Sequence, residues 1–242
     1  MAEVNLIEAI NMALAREMAL DSTVVVLGED VGVNGGVFRA TQGLQQRFGP
    51  GRVIDTPLAE LGIVGVSVGM ASQGLKPVAE IQFSGFIYPT IDQIVNHATR
   101  LRHRSRGRLT CPMVVRTPSG AGIHAPEHHS ESPEALFAHT PGLRMVIPSS
   151  PARAYGLLLA AIRDPDPVIF FEPTRLYRLF KQNVEDDGRA QPLDVCFTMR
   201  EGGDITLVTW GAMVHETMQA ADELSKQGIE ADVIDVATIK PL

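Results

Sequence analysis

Three short segments of this 242-residue chain hold side chains able to manage protons. The first, Gly28-Glu-Asp-Val-Gly32, puts two acids directly after a β-branched run, Thr23-Val-Val-Val-Leu27. In doubly wound sheets, ligands bind at the carboxyl ends of strands; the same two acids would also serve as a polar loop or a helix N-cap pair. The second, Arg52-Val-Ile-Asp-Thr-Pro-Leu-Ala-Glu60, sets one carboxylate at the mouth of a small, apolar, glycine-rich stretch. Glu60 could stabilise a helix N-terminus through the dipole, or sit in a dry pocket and handle a ligand's proton. The third is the loop Thr117–Ser130, which carries His124, His128 and His129 among two glycines and two prolines. No cysteine or HExxH spacing accompanies them, so general acids or substrate contacts are expected rather than zinc.

Such groups need a frame. Leu6, Ile7, Ile10 and Leu14 recur at helical spacing, which predicts an amphipathic helix over 5–19. A strand is expected at 23–27, then an irregular glycine-rich stretch at 32–36. A helix is expected over 59–74 despite Gly62, Gly65, Gly69 and Gly74. Each glycine costs about 1 kcal/mol relative to alanine in a helix, so this helix is expected to pack closely on another backbone or a ligand. Strand patterns at 77–82, 112–116, 143–148 and 167–172 alternate with helical ones at 89–104 and 151–163. That alternation predicts a parallel, doubly wound α/β sheet. Residues 173–203 read as a strap or linker. A strand (204–210), a helix (213–227) and a strand (230–236) follow, a single βαβ unit with Ile239-Lys-Pro-Leu242 after it.

Composition narrows the functions. The chain is 45% hydrophobic but only 5% aromatic, which suits the aliphatic core of a parallel sheet. A net charge of -7 gives no overall basic field for nucleic acid. The basic strip Arg100, Arg102, Arg104, Arg106 and Arg108 reads as a solvated helix end. No apolar run is long enough to span a membrane, and the N-terminus lacks the pattern of a signal peptide. Cys111 and Cys196 are far apart without a CxxC spacing, so a reducing, cytoplasmic setting is expected. There is no GxxxxGK and no strand-placed GxGxxG to cradle a phosphate.

Taken in order, GEDVG (28–32), GGVFR (35–39), DTPLAE (55–60), AEIQF (79–83), IDQI (91–94), HHS (128–130), PGL (141–143) and IRDPDPVI (162–169) form a pattern. It resembles the E1 beta-subunit family of thiamine-diphosphate-dependent 2-oxoacid dehydrogenases. RLYRLFKQ (175–182) looks closest to the bacterial pyruvate dehydrogenase members. The resemblance implies a transketolase-like, doubly wound pyrimidine-binding domain over 1–190. A linker and the start of a transketolase-type C-terminal domain would occupy 191–242, a domain that continues further in family members. It implies that Glu60 hydrogen-bonds the cofactor pyrimidine at N1′, that Glu29 is a second acid near that ring, and that Leu58 and Phe86 pack against it. His129 would lie near the reacting carbon, orienting substrate or delivering a proton during transfer to a lipoyl group; His128 is its neighbour. A structural potassium ion would take backbone oxygens of Met113, Ala161 and Ile162 together with Asp164 and Asp166, oxygen donors that suit a hard cation. The GDG motif that holds Mg²⁺ and the diphosphate is absent from this sequence. A separate alpha subunit is therefore expected to supply it in an α2β2 assembly, with an E2 lipoyl acyltransferase as the further partner. Branched-chain 2-oxoacid and acetoin dehydrogenases are the alternatives within the family, and a non-catalytic assembly module is the alternative of another class; the presence of Glu60 argues against the module.

Overall fold

The structure, a computed structural model, describes residues 2–241. Strand β1 (Ala2–Val4) leads into helix α1 (Leu6–Leu20). That helix starts where Asn5 and Glu8 form a reciprocal capping box: the Asn5 side chain accepts from the Glu8 N–H at 3.0 Å, and the Glu8 carboxylate accepts from the Asn5 N–H at 2.8 Å. Its buried stripe Leu6, Ile7, Ile10, Ala13 and Leu14 is the one the spacing predicts. Then come β2 (Val24–Gly28), α2 (Leu44–Phe48), β3 (Val53–Asp55), α3 (Glu60–Ser72), β4 (Lys76–Glu80), α4 (Leu101–Arg104) and β5 (Val114–Ser119). Next are α5 (Glu134–Ala138), β6 (Arg144–Val146), α6 (Pro151–Arg163), β7 (Val168–Pro173) and β8 (Gln182–Val184). The remainder holds β9 (Phe197–Arg200), β10 (Ile205–Thr209), α7 (Met213–Ser225), β11 (Ala231–Asp235) and β12 (Thr238–Lys240).

Seven strands make the main sheet, in the order β12-β6-β7-β5-β4-β2-β3. Six of them run parallel, and only β12 is antiparallel, against β6. Every residue of β2, β5 and β7 is buried, and β2 and most of β7 accordingly read as continuous apolar runs rather than alternating ones. One face packs on α1 and α6, the other on α3, the 84–98 segment and α5. A smaller sheet, β10-β11-β9, lies under α7 with a small core of Ala221, Ala231 and Val233.

One expectation needs correction, and two segments gain detail. The helix expected over 89–104 is broken into a 3₁₀ turn at Tyr88–Thr90, a π-helical segment at Gln93–Ala98 and the short α4. Pro89 sits in the first turn, and the Thr99 hydroxyl donates back to the Val95 carbonyl at 2.9 Å, disturbing the regular ladder. The glycines of α3 do not meet another backbone within this chain. Gly62 and Gly69 are exposed, and Gly65 only approaches the Gln93 side chain. The tail after β11 packs on the main sheet, where β12 closes an edge against β6. The βαβ unit likewise gains an antiparallel third strand, β9, from the strap.

Candidate functional site

The parallel strands set the stage, since β2, β3, β4 and β5 each end near one edge of the sheet and hand over to a loop bearing a candidate residue. Glu29 follows β2, Glu60 follows β3, Phe86 follows β4, and His129 lies in the loop after β5.

The loop after β2 is pinned from several sides. Asp55, at the end of β3, accepts from the Gly32 N–H at 2.6 Å. The Thr41 hydroxyl donates to the Val31 carbonyl at 2.7 Å. Gly36 has φ 79°, and a Cβ there would lie 2.8 Å from Glu80 Oε1, so this position needs glycine both for its conformation and for close approach. Glu29, two residues N-terminal to Val31, is half-buried and makes no hydrogen bond among the described residues. Burial pushes its carboxyl above the usual range, and the charges of Asp30 and Glu60 add to the rise. Glu29 and Glu60 thus feel one another across the strand ends.

Glu60 opens α3. The N-cap, Ala59, offers no side-chain cap, and the Glu60 carboxylate has no hydrogen-bond partner among the described residues. A helix-dipole role remains open to it, yet no protein donor claims the carboxylate. Beside it in the chain, Leu58 is 72% exposed, an apolar side chain with little to pack on. A free carboxylate, a second acid at elevated affinity for protons and an uncovered apolar side chain fit one edge of a flat heteroaromatic ring with a protonatable nitrogen.

Phe86 and His129 are brought together: their rings lie 5.5 Å apart, and Phe83 lies 4.1 Å from His129. The His129 Nδ1 is buried without a hydrogen-bond partner. His128 is exposed, 6.3 Å from the Phe86 ring. His124 lies elsewhere, with φ 54°, lining a separate cleft of 540 Å³ with Glu134, Arg175 and Trp210. The three histidines therefore do not converge, and no cluster of three or more metal-ligating side chains occurs among the described residues.

The residues expected to hold potassium gather where β5 begins and α6 ends. The Met113 carbonyl accepts from the Val168 N–H at 3.0 Å, and the Cys111 N–H donates to the Pro165 carbonyl at 3.1 Å. Asp164 accepts from Arg144 at 3.2 Å and from the Asp166 N–H at 2.8 Å, and Asp166 accepts from Arg102 at 2.7 Å. Backbone oxygens of Met113, Ala161 and Ile162 fit a hard cation, while both carboxylates already have guanidinium partners.

Sequence reasoning missed one cluster at the same sheet edge. Arg116 bridges Glu80 at 2.9 Å and Glu172 at 2.7 Å, and Tyr177 donates to Glu172 at 2.7 Å. Arg116 and Glu172 are each 1% exposed and Glu80 6%. Burial pushes the Glu80 carboxyl up, with Arg116 pulling it back and Glu172 adding to the rise. The available signal was a charged residue in the C-terminal half of each of three buried strand segments, Glu80 in β4, Arg116 in β5 and Glu172 in β7.

Comparison with known proteins adds the relationship. The model of the transketolase pyrimidine-binding domain matches residues 2–179, and that of the transketolase C-terminal domain matches 196–242. The chain is 52% identical over 242 residues to the pyruvate dehydrogenase E1 component subunit beta of Bacillus subtilis strain 168, covering 100% of this chain and 74% of that protein. It is 51% identical, with the same coverage, to the 2-oxoisovalerate dehydrogenase subunit beta of the same organism. Among solved structures, a split-gene transketolase in an inactive beta4 tetramer aligns with TM-score 0.78 at 22% identity, over 98% of this chain and 72% of that one.

Proposed function

This chain belongs to the E1 beta-subunit family of thiamine-diphosphate-dependent 2-oxoacid dehydrogenases, and from that premise we propose that it acts on pyruvate together with an alpha subunit. The reaction would be oxidative decarboxylation with reductive acylation of a lipoyl group on an E2 acyltransferase. The observation that carries this reading is the Glu60 carboxylate, free of protein donors and set beside Glu29 at the strand ends.

Thiamine diphosphate, when bound, supplies a carbon nucleophile able to accept the electrons left by decarboxylation. The chain's own residues divide the supporting work. Glu60 holds the proton at pyrimidine N1′, the position from which a carboxylate tunes the ring's amino group as a base. Glu29, whose proton affinity is already raised, buffers the same edge. Leu58 and Phe86 present apolar surface to the ring. His129 orients the substrate or delivers a proton during transfer to the lipoyl group. The division of labour between 1–190, which carries these residues, and 191–242, with its smaller sheet, is part of the proposal. So are the α2β2 assembly, Mg²⁺ held mainly by the alpha subunit, and potassium on the oxygens of Met113, Ala161, Ile162, Asp164 and Asp166.

A second substrate reading has a specific observation behind it, since identity to the pyruvate and 2-oxoisovalerate relatives is 52% against 51%. The test is to reconstitute the chain with its alpha subunit and E2, then compare lipoyl acylation from pyruvate, 3-methyl-2-oxobutanoate and acetoin. Preference for pyruvate is expected. Preference for the branched acid would replace the substrate, and no turnover of any of the three would overturn the catalytic reading.

A further inference from the structure

We propose that Phe83, backed by Phe38 and Tyr177, is a positioning residue that fixes the His129 imidazole; the inference rests on His129 acting in acyl transfer. Phe83 lies just beyond β4, in extended conformation (φ -146°, ψ 147°), at the start of the 3₁₀ turn Ser84–Phe86. Its ring meets His129 at 4.1 Å and an interplanar angle of 63°, Phe86 at 5.9 Å and 86°, and Phe38 at 5.5 Å and 72°. These edge-on contacts are the arrangement that aromatic quadrupoles favour.

A histidine is usually oriented by a hydrogen bond to its second nitrogen. His129 has none at Nδ1, which is buried without a partner. Packing therefore has to supply the orientation, and Phe83 is the ring nearest to it. The support behind Phe83 is rigid. Phe38 lies 4.9 Å from Tyr177, whose hydroxyl donates to Glu172 at 2.7 Å, and Glu172 is clamped by Arg116 at 2.7 Å. A line of rings thus runs from a buried ion cluster to the imidazole. The same turn seats the histidine's backbone: a Cβ on Gly85 would lie 2.7 Å from His128 Cα, so the two turns touch directly.

The experiment uses the full chain reconstituted with its alpha subunit and E2. Phe83→Leu is expected to slow lipoyl acylation about 10- to 100-fold, the range that small misplacements of a catalytic group produce. Hydrogen–deuterium exchange at the cofactor C2 should stay at the wild-type rate. Phe83→Tyr should restore acylation, because it keeps the ring. In ¹⁵N-imidazole NMR spectra of the chain itself, Phe83→Leu should move the His129 signals, a readout independent of turnover. Phe38→Leu, one ring further back, should give a smaller change in the same direction and serves if Phe83→Leu folds poorly. If His129→Ala leaves acylation intact, the underlying assignment of His129 fails. If His129→Ala impairs acylation while the ring variants match wild type in both rate and imidazole signals, the positioning inference alone is overturned.

Discussion

At the residue scale, Glu60 and Glu29 are acids of different kinds. Glu60 has no side-chain hydrogen-bond partner among the described residues, so removing its carboxylate breaks no hydrogen bond and costs at most the small helix-dipole contribution. Glu60→Ala is expected to cut C2 exchange on cofactor bound to the reconstituted complex by at least the roughly 10²- to 10⁴-fold typical of general acid–base groups. The thermal melting curve should be unchanged. Exchange at the wild-type rate in the variant would remove Glu60 from the mechanism. Glu29 leaves a trace in stability instead. Its folded-state proton affinity is raised by burial first, then by Asp30 and Glu60. A carboxyl shifted upward contributes fully below its unfolded value, and that contribution is lost as pH rises through the folded value. Glu29→Gln should therefore raise the melting temperature at neutral pH, and the gain should vanish well below the carboxylate range. Melts at the two pH values check this, and a variant less stable than wild type at neutral pH would contradict the sign.

At the element scale, the sequence announced the frame better than its fastenings. The helix over 5–19 was legible because one stripe, Leu6 to Leu14, is apolar at a single period. Strands β2 and β7 were legible as apolar runs, and β5 only through its first residues, Val114 and Val115. The 89–104 segment was not, because a π-helical stretch keeps helical composition while changing the ladder. Nor was β12, whose pairing depends on a partner strand far away in the chain. The candidate site residues were singled out only through the resemblance of their motifs, and their roles stand as proposals; from residue type alone, Glu60 read equally well as a helix-end acid. The Arg116 cluster was invisible because its three charged members belong to three separate strands, β4, β5 and β7, and only the sheet order makes them neighbours. This cluster carries a prediction of its own. Arg116→Met would strand two buried carboxylates, and losing one partner of a buried charge network costs about 3–5 kcal/mol. Urea denaturation should show a loss of that size. A loss under about 1 kcal/mol, typical of exposed pairs, would mean that water reaches the cluster.

At the scale of the whole molecule, the proposed function makes this chain one contributor to a site shared with an alpha subunit. Phe86 meets His129, and Glu29 feels the charge of Glu60, but no GDG motif for holding a diphosphate through Mg²⁺ accompanies them in the sequence. Mg²⁺ is held by a few carboxylates together with phosphate oxygens and water, ligands that the proposal places mainly on the alpha subunit. The surface around Glu60 tells the same story. Leu58, Leu61 and Val66 are 72%, 48% and 54% exposed, and Gly62 and Gly69 beside them are uncovered. Small residues on a helix let another backbone approach closely, so under the proposal α3 is the face expected to meet the second subunit. A ring alone buries little area and makes few hydrogen bonds, so the chain without a second subunit should bind thiamine diphosphate weakly and turn over nothing. Calorimetric titration with thiamine diphosphate and Mg²⁺, with and without the alpha subunit, decides the matter. Tight binding is expected only in the mixture, together with loss of solvent exposure along α3 measured by hydrogen exchange. Micromolar binding and pyruvate decarboxylation by the lone chain would show that its own residues complete the site.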